Sequence, residues 1–211
     1  MDTEKIEKLK TGTTTVGAVG ADVVILGADR KATMGYLVAS KDSKKIFQLD
    51  DHVGMTIAGV SGDAQALERY IKAEFRLYEL KEGSKITITG AANLVANILY
   101  SRRFYPYIVQ LIVGGYDDKP GLFSFDPVGG TSEEKEYFAT GSGSVMALGV
   151  LEDKFKKGMS TDELKRLVAR AIHAATKRDI ASGGSGIDLV VIDSKGFRRI
   201  SDSEVNKYLS N

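Results

Sequence analysis

The sequence predicts an α+β protein, a four-layer αββα sandwich of two antiparallel sheets flanked by helices. Three observations lead there. The hydrophobic period changes in blocks along the chain: strand spacing, helical spacing, strand, helical and strand again. Strands therefore come in groups joined by short turns, and helices come in pairs, an order that suits segregated helices and antiparallel sheets. The chain is also large enough to bury a sizeable core, with 211 residues of which 43% are hydrophobic. The order of elements supports the α+β class. The layering is the arrangement that would bury every apolar face.

Each element follows from its own residues. Residues 13–19 (TTTVGAV) are mostly β-branched and read as a first strand. After a Gly20-Ala21 turn, residues 22–27 (DVVILG) read as a second. Residues 36–39, 45–48 and 53–58 are further short strands, punctuated by Gly35, Asp50-Asp51 and Gly59. Over residues 64–80, Leu67, Tyr70, Ile71, Phe75 and Tyr78 take helical spacing, and Ser61 or Asp63 can cap the start. Gly83-Ser84 breaks this helix. Residues 90–103 form a second, with Leu94, Val95, Ile98 and Leu99 on one face. Residues 108–114 read as a buried strand, and DDKPG at 117–121 turns the chain into a hairpin strand at 122–126. Residues 136–140 are another strand. Gly141-Ser142-Gly143 opens a helix over 144–155, and a capping box at Ser160 and Glu163 opens the next, to about Lys177. Residues 187–193 (IDLVVID) and 197–200 pair as strands, and 202–209 is a short helix.

Composition removes several function classes. Lys plus Arg is 29 and Asp plus Glu 28, a net charge of +1, so nothing electrostatic favours nucleic acid or an anionic membrane. The apolar runs are too short to span a bilayer, and the charged residues 1–12 are not a secretory signal. Cytoplasm is the expected location. There is no Cys, which excludes disulfides, thiolate metal sites and a cysteine nucleophile. The two His, His52 and His173, belong to no metal-ligand spacing and to no triad signature. A hydrolase built from this chain would use a base other than His, and no metal or cofactor is expected.

The stretch GTTTVG at 12–17 answers that requirement. By itself a run of threonines fits an exposed strand face. Its setting is more telling: a charged, pattern-poor leader ends in Gly12, and the first good strand begins at once. Glycine tolerates backbone conformations that other residues resist, which suits a junction where the Thr13 hydroxyl reaches back to the Gly12 carbonyl. A Thr hydroxyl needs a base. The free amine of an N-terminal Thr, with an ordinary pKa of about 7.7 to 8.0, can be that base.

These residues resemble a known family. GTTTVG at 12–17 is similar to the processing site and first strand of archaeal-type 20S proteasome β subunits, a branch of the N-terminal nucleophile hydrolases. GADR at 27–30, ATMG at 32–35, SKK at 43–45, MTIAG at 55–59, SGDAQ at 61–65, TGSGS at 140–144 and RDIASG at 178–183 follow in the family's order. The resemblance covers essentially residue 12 to the last strand.

It implies a threonine endopeptidase made as a zymogen, with residues 1–12 removed by autocatalytic cleavage between Gly12 and Thr13 to leave a peptidase domain at 13–211. Asp29 and Lys45 match the acid–lysine pair beside the nucleophile, although from the sequence alone Lys44 and Lys45 are indistinguishable. Ser142, Asp179 and Ser182 match the network around the terminal amine, and Gly59 the backbone oxyanion donor. Thr33 matches a residue whose backbone pairs with substrate. Ala32, Ser43, Phe47, Ile57, Ser61 and Gln65 match the pocket for the side chain before the cut. None of these is charged, so apolar or uncharged side chains are expected there, though Ser43 and Ser61 are more polar than is usual in archaeal members. Seven-membered β rings flanked by α-subunit rings, an ATPase acting through the α ring and unfolded polypeptide substrates are likewise implied. Two alternatives stand beside this reading: the shorter bacterial two-ring threonine peptidase, and a catalytically silent ring subunit that only scaffolds.

Overall fold

The structure, a computed structural model, describes residues 12–210. The reading of residues 1–11 as a leader falls outside them. One five-stranded antiparallel sheet runs in the order β10 (Tyr137–Thr140), β1 (Thr15–Val19), β2 (Val24–Asp29), β11 (Ile187–Asp193), β12 (Gly196–Arg199). The other runs β5 (Ile46–Asp50), β6 (Val53–Gly59), β7 (Val109–Tyr116), β8 (Pro120–Phe125), β9 (Thr131–Glu133), also antiparallel throughout. A small hairpin, β3 (Ala32–Met34) with β4 (Leu37–Ser40), stands apart from both.

Three cores make the four layers. Outside the second sheet lie α1 (Ser61–Glu82) and α2 (Ile88–Ser101), whose Leu67, Ile71, Phe75, Val95 and Leu99 pack on Met55, Ile57, Leu111 and Val113. Outside the first sheet lie α3 (Ser144–Lys154), α4 (Thr161–Arg178) and α5 (Asp202–Leu209), whose Leu151, Leu164, Val168, Ile172 and Val205 pack on Val16, Ala18, Ile25 and Leu189. Between the sheets lie Val24, Leu26, Ala28, Ile46, Ile112, Leu122, Val190 and Ile192. The two-residue period of β2 explains its double use: Val24, Leu26 and Ala28 face the other sheet, while Ile25 faces the helices.

The sheets approach closely because three facing positions lack side chains. A Cβ on Gly17 would lie 2.7 Å from Leu122, one on Gly54 2.9 Å from Phe197, and one on Gly114 2.7 Å from Val24. Each of these contacts is with the opposite sheet.

The expected elements are present, with shifts that have causes. The first helix starts at Ser61 with Val60 as N-cap, and neither Ser61 nor Asp63 caps it. The Asp63 carboxylate instead accepts from the Ile108 amide at 2.8 Å, where the chain enters β7. The Ser160–Glu163 capping box forms at the start of α4. Neither β3 nor β9 was anticipated from the sequence. Three helices rather than two cover the first sheet, because the short C-terminal helix packs beside α4. The first strand begins at Thr15, not Thr13, so Thr13 and Thr14 lie just beyond the sheet ladder.

Overpacking the inter-sheet layer tests this arrangement. Gly114→Ala should destabilise the protein by about 1–3 kcal/mol, because the layer cannot widen locally without losing its contacts. Denaturant unfolding should show a lower midpoint with an unchanged slope; equal stability would mean that the sheets separate freely.

Candidate active site

The site forms where the two sheets end together. Asp29, the last residue of β2, is completely buried. Its Oδ1 accepts from the Thr13 hydroxyl (2.8 Å), the Thr14 amide (2.9 Å) and the Lys45 ammonium (2.6 Å). Its Oδ2 accepts from the amides of Lys31 (3.1 Å) and Gly183 (2.8 Å). A buried carboxylate is tolerable only when paired and hydrogen-bonded, and both oxygens here are supplied. Lys45 immediately precedes β5, so the ion pair crosses from one sheet to the other rather than joining adjacent strands of one sheet. Lys45 is only 7% exposed. Burial pulls its ammonium below the ordinary value of 10.5, and the attraction of Asp29 offsets this only in part.

A second network holds the Thr13 nitrogen. The Thr13 amide donates to Ser142 Oγ at 3.2 Å, and Ser142 Oγ donates to Asp179 Oδ2 at 2.6 Å. Ser182 Oγ donates to the same carboxylate oxygen at 2.5 Å. With that proton committed, Ser182 accepts from the Thr14 hydroxyl, 2.7 Å away. Ser142 lies in the turn between β10 and α3. Asp179 is the C-cap of α4, and Ser182 follows in the loop to β11. Thr13 and Thr14 point to opposite sides, so the hydroxyl of one meets Asp29 while that of the other meets Ser182.

Thr13 opens onto a cavity of about 300 Å³ lined by Ala32, Thr33, Ser43, Phe47, Ile57, Gly59, Ser61 and Gln65, together with Gly12 and Lys45. All the expected pocket residues therefore surround one space beside Thr13. The sequence reading missed Ala64 and Lys44, which also line it. Lys44 is the charged neighbour that the uncharged pocket did not foresee; its Nζ lies 5.4 Å from the Phe47 ring centre. Gly59 takes φ 143°, and a Cβ there would lie 2.2 Å from the Ile108 carbonyl oxygen, so only glycine fits. Neither His lines the cavity. His52 Nε2 lies 2.8 Å from the Ile86 carbonyl oxygen, and His173 is in α4.

A Cβ on Gly12 would lie 1.7 Å from the Ala181 Cβ, so the site has no room for any larger residue there. The Gly12 amide donates to the Thr33 hydroxyl at 3.1 Å. The Thr33 side chain thus contacts the residue before Thr13, a role the sequence did not suggest. Among the described residues, no three His, Asp or Glu side chains gather as a metal site would require.

A sequence profile described as "Proteasome subunit" matches residues 9–192. The chain belongs to the proteasome subunit family. Among curated relatives within this proteasome family, the "Proteasome subunit beta" of Methanohalophilus mahii is 50% identical over 100% of this chain and 99% of its own length. That of Methanoregula boonei is 47% identical over 98% and 97%. That of Methanosarcina barkeri is 50% identical over 97% and 96%.

The ion pair at the centre of this proteasome-family site has a measurable cost of disruption. Asp29→Asn keeps the shape but leaves the Lys45 ammonium unpaired, and sets an amide N–H against at least one backbone donor. Removing one partner of a buried pair costs about 3–5 kcal/mol, and a loss of that order is expected in denaturant unfolding. A loss no larger than that of a surface substitution would show that Asp29 does not carry this load.

Proposed function

We propose that this chain is the catalytic, β-type subunit of a proteasome core particle, a threonine endopeptidase whose nucleophile is Thr13. One observation carries the reading. The Thr13 hydroxyl lies on a buried Asp29–Lys45 pair, directly after a sterically obligatory glycine and beside a substrate-sized cavity.

The chemistry runs in two stages. While Gly12–Thr13 is intact, the Thr13 nitrogen is an amide and cannot serve as a base. The hydroxyl proton passes to the Asp29 carboxylate that it already bonds, and Oγ attacks the Gly12 carbonyl. The C–N bond breaks, nitrogen takes up a proton, and an ester remains between Gly12 and Thr13 Oγ. Water hydrolyses that ester and releases residues 1–12. In the second stage the freed amine takes the hydroxyl proton, Oγ attacks a substrate carbonyl, and the proton passes to the leaving amine. The Gly59 N–H would stabilise the oxyanion, and water would then free Thr13. Lys45, as a fixed cation, favours the neutral amine and the developing alkoxide.

The Thr33 segment would pair with an extended substrate backbone, a mode that reads main chain with little regard to side chain. Ala32, Ser43, Phe47, Ile57, Ser61 and Gln65 would receive the side chain before the cut. Assembly follows the same reading: seven-membered rings of this chain flanked by α-subunit rings, fed with unfolded polypeptide by an ATPase, in the cytoplasm.

Two experiments test this. In particles assembled with the α partner, Thr13→Ala should retain the leader by intact mass and lose fluorogenic-peptide hydrolysis by at least about 10³-fold, the scale of losing a nucleophile. Wild-type particles that are inert would support the scaffold reading instead. The pH profile of kcat/KM should be bell-shaped. It rises as the terminal amine loses its proton, near or below its ordinary value of about 7.7 to 8.0. It falls before pH 10.5, because burial lowers the pKa of Lys45 and its charge is lost early. Activity still climbing past pH 10.5 would remove Lys45⁺ from the mechanism.

A further inference from the structure

A chain of three hydroxyls lies buried beside the apolar layer between the two sheets. Thr15 Oγ1 lies 2.6 Å from Thr140 Oγ1 and 2.9 Å from Thr56 Oγ1, and all three residues are buried. Thr15 and Thr140 are direct cross-strand partners in the first sheet, whereas Thr56 belongs to the second. The hydroxyl chain therefore ties the sheets together through Thr15.

Stability alone gives little reason for three hydroxyls here. Replacing mutually bonded polar groups by apolar ones of the same shape is often neutral or stabilising. Hydrophobic packing, however, is non-directional and leaves the lateral position of facing strands loosely defined. Hydrogen bonds fix both distance and direction.

What they fix is specific. Thr15 stands two residues after Thr13. Thr140 stands two residues before Ser142, which receives the Thr13 amide. Between them Gly141 passes so close that a Cβ would lie 2.2 Å from the Thr13 carbonyl oxygen, and the Gly143 amide donates to that oxygen at 3.2 Å. Thr56 is the register partner of Ile46, next to Lys45, and the Ile57 amide donates to the Lys45 carbonyl at 3.0 Å. On the same strand, three residues on, is Gly59. The three hydroxyls thus join the segments that carry the nucleophile and its nitrogen partner to β6, the strand paired with the one that follows the lysine.

We infer that Thr15, Thr56 and Thr140 form a positioning unit, which sets Thr13 laterally against Lys45 and Ser142 without touching substrate. This rests on the proposed role of Thr13. Small misplacements of reacting groups slow chemistry more than they weaken binding, so the unit should act on kcat.

The test uses particles assembled with the α partner, with mature chains counted by intact mass so that slow leader removal is separated from slow turnover. Thr15→Val keeps the shape and removes both bonds. It should lower kcat per mature chain about tenfold while KM stays within about twofold. Thr15→Ser, which restores the hydroxyl, should recover most of that loss. Thr56→Val, which leaves the Thr15–Thr140 bond, should give a smaller drop and decides the matter if Thr15→Val fails to fold. Unchanged kcat in the valine variants overturns the inference. So does a serine variant as slow as the valine one, since the methyl group would then be what matters. Hydrolysis that survives Thr13→Ala would overturn the proposed nucleophile, and this unit with it; Thr13-dependent hydrolysis with indifferent valine variants overturns the unit alone.

Discussion

The structure around the site depends on one buried carboxylate. Asp29 collects five hydrogen bonds, from Thr13, Thr14, Lys31, Lys45 and Gly183. Those donors come from the two residues before β1, the loop after β2, the residue before β5 and the loop before β11. An ionised carboxylate without such partners would be very costly at this depth. Burying Asp29 therefore obliges four separate segments to converge, and the convergence is the site. Stability and geometry have the same cause here. The bonds that make the charge tolerable also set the Thr13 hydroxyl beside the Lys45 ammonium.

The two networks divide the labour on Thr13 by atom. Asp29 and Lys45 act on its oxygen, and Ser142, with Asp179 and Ser182 behind it, acts on its nitrogen. Thr14 links them, because its amide donates to Asp29 while its hydroxyl meets Ser182. This coupling uses the alternation of an extended chain, which turns neighbouring side chains to opposite sides. A helix could not present adjacent residues in this way.

Much of the fold was legible because it rests on local periodicity. Strands β2, β6, β7 and β11 carry runs of apolar residues, and α1, α2 and α4 carry helical stripes, so their cores could be read from spacing. What escaped depends on pairing. Three-residue strands such as β3 and β9 have too few residues to show a period and exist through their partners. Asp63 was read as a cap, but the Ile108 amide, distant in sequence, competes for its carboxylate. The site shows the same division. Gly12 stood out before the first strand, yet the Ala181 side chain that leaves no room for a Cβ there is something no local pattern reveals. Composition and spacing could not separate Lys44 from Lys45. The resemblance to a family could, and the register places Lys45 inside against Asp29 while Lys44 lines the mouth of the cavity.

The direction of the nitrogen network bears on how one residue can be both nucleophile and base. Ser142 has a single hydroxyl proton, and Asp179, an acceptor at 2.6 Å, engages it. Ser142 can then only accept from the Thr13 nitrogen, as it does from the amide. Once the leader is gone, a neutral amine would keep one N–H on Ser142 and have a lone pair left over. That lone pair is the one the mechanism needs, free to take the proton from Thr13's own hydroxyl. Had Ser142 instead donated to nitrogen, the lone pair would have been occupied and the base lost. In the proposed mechanism Asp179 would thus do more than anchor a serine: by fixing which way the Ser142 proton points, it would keep the Thr13 amine basic in the direction of its own oxygen.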